Sequence, residues 1–185
     1  MAFNPRRIVT DRTSDGTSVF AEQTDLEPGT VMIMPGAELF NVWGTQDGIP
    51  VVGAGDNPPT VPFPFFPGPG GTRLVVVRFP PDSAGADSTA PNASPEEMMA
   101  EAEDKQPGLA HVFEPDNPGM HTTDSIDYGI CVDGEIWLEL DDGAEAHVTP
   151  GTFVVQRGTR HAWRNKTDRH CTMVYVLVGA KRTSG

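Results

Sequence analysis

The strongest constraint on this chain is a dense series of short apolar segments in its second half. Strand-like stretches run over residues 121–132, 135–141, 144–148, 152–156, 161–165 and 170–178. Turn-forming residues separate them: Asp133-Gly134, Asp142-Gly143, Pro150-Gly151, Gly158-Thr159 and Lys166-Thr167-Asp168. Asp-Gly between alternating segments is a strong hairpin signal, because tight turns need the positive φ that glycine adopts freely. Within one segment Ile136, Leu138 and Leu140 alternate with Glu135, Trp137 and Glu139, the period of a strand with two unlike faces. Strands so short and so closely spaced leave no room for βαβ crossovers, so an antiparallel sandwich or barrel is predicted.

The first half is less regular. Candidate strands lie at Arg7–Thr10 and Ser18–Ala21 around Ser14-Asp15-Gly16, and apolar runs follow at Val31–Met34 and Leu39–Trp43. From Gly48 to Gly71 proline and glycine dominate. Proline fixes φ and removes an amide donor, so no central strand or helix interior fits there. Phe63, Phe65 and Phe66 in that stretch are expected to pack over something apolar, either the barrel wall or a second subunit. Thr72–Phe79 is the clearest strand of this half. Residues 81–93 read as a mobile linker. Ser94-Pro95-Glu96-Glu97 then combines an N-cap, a proline at the first helical position and a capping-box glutamate, which predicts one short helix to about Glu103.

Composition agrees with this picture. The 185 residues are enough for one domain with its own core, and 20 Gly with 18 Pro favour turns over long helices. Thirteen Lys and Arg against 26 Asp and Glu give a net charge of −13, which repels nucleic acids and anionic membranes. Cys131 and Cys171 sit in apolar runs without metal-site spacing, so buried free thiols are expected. The first residues lack the apolar stretch of a signal peptide and no run reaches membrane-spanning length, so a cytoplasmic location is expected. No GxSxG elbow, P-loop or dinucleotide-binding glycine pattern is present.

Two histidines stand out against this background. His121-Thr122-Thr123 is followed by Asp127 and then Gly134. A second stretch runs from Gly151 through Gln156 and Gly158-Thr159-Arg160-His161 to Ala162-Trp163-Arg164-Asn165. In residue type and spacing these resemble the two motifs of the cupin superfamily, over roughly the last seventy residues. They are also similar to the HxTDxIDYG and VVQRGTxHAWRN stretches of a group of little-characterised small-molecule cupins. The resemblance implies an all-β fold, a single cupin (jelly-roll) antiparallel β-barrel with extra N-terminal strands and one short helix. In that reading residues 1–185 form one domain, with N-terminal strands, Pro/Gly-rich loop and helix in 1–110 and the cupin core in 111–180. The chain departs from the family pattern at Thr123 (for a second histidine), Asp127 (for glutamate), Gln156 (for proline) and Pro115 (for glycine).

The resemblance also implies chemistry. His121, Asp127 and His161 would hold a divalent metal ion, Fe, Mn, Ni or Zn, with coordination places open for substrate. On a straight strand His121 and Asp127 would stand about 20 Å apart at about 3.3 Å per residue, so the chain must bend at Asp124-Ser125. Asp127 either completes the ligand set or orients a histidine or an arginine. Thr123, through a substrate hydrogen bond, and Tyr128, as acid or base, are the catalytic candidates. Alternation puts His161, Trp163 and Asn165 on one face, with Arg160, Ala162 and Arg164 on the other. Trp163 lines a pocket or fills the core; with Trp137, Phe153 and Tyr175 it would form an apolar lining for a hydrophobic or aromatic substrate. His111, His147 and His170 lie outside the motifs and read as ordinary surface or turn residues. The expected function is a metal-dependent cupin enzyme acting on a small organic molecule, of lyase, dehydratase, isomerase or dioxygenase type. The alternative is a metal-free small-molecule-binding cupin, and a homodimer is expected by resemblance.

Overall fold

Short alternating segments become ten strands in a computed structural model that describes residues 3–52, 64–87 and 93–183. The first four are β1 (Arg6–Arg12), β2 (Ser18–Asp25), β3 (Glu38–Thr45) and β4 (Thr72–Phe79). After helices α1 (Asp82–Asp87) and α2 (Pro95–Lys105) come β5 (Ser125–Asp133), β6 (Ile136–Glu139), β7 (Glu145–Val148), β8 (Phe153–Arg157), β9 (Ala162–Arg164) and β10 (Cys171–Gly179). Every pairing between them is antiparallel. β3-β4-β10-β5-β8 form a five-stranded sheet, β7-β6-β9 a three-stranded one, and β1-β2 a separate hairpin.

The two larger sheets share one core. Val75, Cys131 and Met173 from the five-stranded sheet pack in the same cluster as Ile136, Leu138 and Val148 from the three-stranded sheet. This is two sheets burying their apolar faces against each other, the jelly-roll solution to the period-two pattern. The sheet takes β3 and β4 from before residue 110 and β5, β8 and β10 from after it. Thr72–Phe79 is a strand as read from sequence, and its central Val75, Val76 and Val77 are all buried.

The Asp-Gly pairs part company. Asp142 (φ 57°) and Gly143 (φ 71°) both take positive φ and close the β6–β7 hairpin as the sequence predicts. Asp133-Gly134 makes no hairpin: β5 pairs with β10 and β8, and the chain at Gly134 crosses to the other sheet. A side chain at Gly134 would meet the His170 carbonyl oxygen at 2.6 Å and the Cys171 Cα at 2.7 Å. Local turn chemistry specifies a reversal here, but burial of both strands decides which sheet each one joins.

Helical content exceeds the single helix expected. The start of the anticipated linker, Asp82–Asp87, is α1, and a 3₁₀ turn covers Ala110–Val112; residues 88–92 of that linker lie outside the described residues. Helix α2 begins as its sequence demands. Ser94 Oγ accepts from the Glu97 amide at 3.2 Å, and the Glu97 carboxylate accepts from the Ser94 amide at 2.7 Å. It runs on to Lys105, where the Gln106 amide donates to Ala102. Glu101 accepts from the Met32 amide at 3.0 Å, Gln106 accepts from Asn41 at 2.9 Å, and Ala102 is fully buried, so the helix is docked near β3. From the Pro/Gly-rich stretch, Phe65 enters the core cluster with Phe66 edge-on against it at 5.1 Å; Phe63 lies outside the described residues.

Candidate active site

The expected bend is present. The chain bends at Asp124 and β5 starts only at Ser125, which leaves His121 free to pair elsewhere. His121 and His161 form an isolated antiparallel bridge, each amide donating to the other's carbonyl at 2.9 Å. Residues directly opposite in such a pair send their side chains to the same face. The two imidazoles accordingly stand with ring centroids 4.1 Å apart.

Each ring is held the same way. His121 Nδ1 lies 3.0 Å from the Gly119 carbonyl and His161 Nδ1 lies 2.9 Å from the Thr159 carbonyl. A carbonyl oxygen only accepts, so Nδ1 carries the proton and Nε2 keeps its lone pair on both rings. Burial lowers the pKa of His121, and burial together with the neighbouring His121 lowers that of His161 to about 4. Both are therefore neutral near pH 7.

The segment that carries His121 is tied down by two arginines on β9 and the turn before it. Arg160 donates to both carboxylate oxygens of Glu114 at 2.6 Å and to Asp141 at 2.7 Å. Arg164 donates to Glu139 and, at 2.7 Å, to the Pro118 carbonyl. Sequence reasoning left both arginines without a role. A charged pair so near the motif histidine was visible, but its partners lie far away in sequence. Ala162, expected on the outward face, is fully buried.

A cavity of about 950 Å³ opens beside the pair. Phe113, Phe79, Met99 and Leu177 contribute to its mostly apolar wall, with His121, Asp127, His161, Trp163 and Tyr175 among its lining residues. The rings run on from one another: His121 is 5.1 Å from Phe113, His161 is 6.1 Å from Trp163, and Trp163 is 5.6 Å from Tyr175. The Tyr175 ring lies over Gly129, where an added Cβ would come within 3.0 Å of its Cε1. His111, read as an ordinary surface residue, also lines the cavity and pairs with Glu103 at 3.1 Å.

The remaining candidates separate by strand face. On β5 Ser125, Asp127, Gly129 and Cys131 point inward, and Ile126, Tyr128 and Val132 outward. Tyr128, 47% exposed, is thereby on the outer surface, away from the cavity it was expected to serve. Phe153 is 74% exposed on β8 and also faces out. Trp137 leaves the inner positions to Ile136 and Leu138 and stacks on His147 at 4.4 Å, and it does not line this cavity. Thr123 is buried, but its hydroxyl accepts from Ser125 at 2.9 Å and it does not reach the cavity wall. Cys131 and Cys171 are free and buried, as expected, with their sulfurs 3.9 Å apart across β5 and β10.

Asp127 is 6% exposed, and burial pushes its pKa up to about 6 against the lowering effect of a Ser125 hydrogen bond. Its Oδ1 has no hydrogen-bond partner among the described residues. Among the described residues no three His, Cys, Asp or Glu side chains come together as a metal-holding group. Catalytic zinc and the facial iron triad both take three protein ligands. The donor set falls one short: the histidines meet, and Asp127 does not join them in the expected three-residue site.

No protein-family model matches the chain. It is 49% identical to phomopsin biosynthesis cluster protein C' of Diaporthe leptostromiformis over 63 residues, which is 34% of this chain and about a third (33%) of that relative's length. It is 26% identical to the cupin-domain-containing oxidoreductase srdB of Neurospora crassa over 179 residues, 96% of this chain and 75% of that one. A solved cupin domain of a transcriptional regulator from Enterobacter cloacae aligns at 15% identity over 60% of this chain and 83% of that chain, with a TM-score of 0.36. Antiparallel sheets around an internal cavity, with a histidine from each motif on its wall, define the cupin class. Along almost its whole length this chain is similar to a cupin-domain protein, and its fold is that of a single cupin jelly-roll domain.

Proposed function

We propose that this chain is a cupin enzyme that performs acid–base chemistry on a small, largely hydrophobic organic molecule held in the barrel. One observation carries the reading: two neutral imidazoles stand side by side with both Nε2 lone pairs free, on the wall of an apolar cavity. A neutral imidazole in a dry site takes a proton from a carbon acid or hydroxyl at hydrogen-bond range. Because a charge on one ring opposes a charge on the other, the pair takes up no more than one additional proton, at an Nε2, and can pass it between two positions of a substrate. That suits an isomerisation, dehydration or lyase reaction. The names of relatives such as srdB, a cupin-domain-containing oxidoreductase, support an enzyme over a plain binding protein.

A divalent ion was the expected cofactor, but among the described residues the two-imidazole donor set does not fit a three-ligand centre. The same shortfall supports the second reading, a metal-free binding protein, in which the histidines contact a ligand without turning it over.

Deuterium incorporation separates these readings. A panel of hydrophobic compounds that carry both a hydroxyl and a carbonyl group is incubated with the untagged protein in D₂O and followed by NMR. The enzyme reading expects exchange of the proton beside the carbonyl, lost in His161→Ala and His121→Ala. Ligand binding without exchange would favour the binding protein. Elemental analysis of the same preparation is expected to show no stoichiometric metal; one equivalent of Fe, Mn, Ni or Zn that disappears in both variants would overturn the metal-free mechanism.

A further inference from the structure

The cavity wall is mostly apolar, and two of its polar places are deeply set. One is the histidine pair. The other lies on the five-stranded sheet, where Tyr175 on β10 faces Gly129 on β5 and Asp127 stands two residues along the same inward face. Both side chains are more than nine-tenths buried, at 8% and 6% exposed, and both line the cavity. The Tyr175 hydroxyl and Asp127 Oδ1 are also two of the buried polar atoms left without a hydrogen-bond partner among the described residues. Leaving such groups unpaired is costly, so native proteins rarely keep two in one place without something to satisfy them.

We propose that Asp127 and Tyr175 are the polar recognition element of this cavity, and that its ligand is an uncharged, mainly apolar molecule bearing a hydroxyl group. The proposal rests on reading the barrel cavity as the ligand site, and it deepens that reading by naming the class of molecule. A hydroxyl both donates and accepts, so one group satisfies both residues: it donates to the Asp127 carboxylate and accepts from the Tyr175 O–H. An alcohol, phenol or enol meets this need; a ketone or hydrocarbon does not. Charge argues the same way. Among the described lining residues Arg164 is the one fully cationic side chain, and it is committed to Glu139 and Pro118. Asp82, Glu114 and Asp127 supply acid on the same wall, so a carboxylate ligand would find no free cation there.

The test is calorimetric titration of the full chain with three probes sharing one ring system: naphthol, methylnaphthalene and naphthoate. The wild type is expected to bind naphthol about tenfold more tightly than methylnaphthalene, the worth of one good hydrogen bond, and naphthoate most weakly. Tyr175→Phe and Asp127→Asn should each remove most of the naphthol advantage and leave methylnaphthalene unchanged. His161→Ala should keep the advantage, which separates recognition from the acid–base role. Equal binding of naphthol and methylnaphthalene would overturn the proposal and leave the cavity reading standing; no binding of any probe would overturn both. Without a probe, Tyr175→Phe is expected to melt at or above the wild-type temperature, since it deletes an unpaired hydroxyl. A drop of several degrees would show that hydroxyl already partnered inside the protein, and would defeat the idea.

Discussion

Single residues in this site are governed by what burial does to charge. His161 holds a pKa near 4 where an exposed imidazole sits near 6.5, and His121 is lowered in the same direction. As pH falls from 6.5 towards 4 the unfolded chain takes up protons that the folded rings refuse, so stability is lost through that window. Asp127 works against this. Its folded pKa of about 6 exceeds the ordinary 3.8, so acidification from 6 towards 3.8 relieves the cost of burying its charge. Thermal melts between pH 7 and 4.5 should therefore show a declining melting temperature, a shallower decline in His161→Asn and a steeper one in Asp127→Asn. An unchanged slope in His161→Asn would mean that His161 is not buried in its neutral form. His121 and His161 were legible as candidates because the motif spacing singles them out. Tyr128 and Phe153 were misplaced because residue type says nothing about which face of a strand is inside.

Elements hold these residues by contacts between segments far apart in sequence. Arg160 grips Glu114 bidentately, and Arg164 reaches Pro118, so the 114–119 segment is pinned to the turn and strand that carry His161. The Arg160 and Glu114 side chains are about a third exposed, and such pairs add under about 1 kcal/mol to global stability. Their effect should be local. In Arg160→Met the amides of Glu114 and His121 are expected to exchange hydrogen faster, while those of β5 and β10 stay protected; uniform protection would remove the clamp. Gly134 is the opposite case, a single point on which the sheet crossing depends. With φ at 78° and backbone within 2.7 Å of any Cβ, Gly134→Ala should cost more than about 1 kcal/mol in urea unfolding. The helix start at Ser94 was legible from four residues because capping is local. The Asp133-Gly134 turn was misread because its partner strands are not.

For the whole molecule, the outer face of the five-stranded sheet is the feature that calls for a partner. Tyr128 pairs with Val155 and Ile130 with Phe153 across β5 and β8, and Phe153 and Val155 are 74% and 58% exposed on an edge strand. An apolar edge of this kind invites pairing. Light scattering is expected to give twice the chain mass, and Phe153→Asp with Val155→Asp to return it to that of one chain. Among the described residues no helix is long and apolar enough to cross a membrane.

By itself the sequence determined most strand positions, the capped helix, the β6–β7 hairpin and the two histidines worth comparing, because alternation, capping and turn chemistry act over a few residues. Only the tertiary structure decided that β5 joins β10 and β8, that Asp127 stays apart from the imidazoles, and that Tyr175 lines the cavity while Trp137 does not. Those outcomes depend on sheet order and inward face, which are set when distant strands bury their apolar sides together.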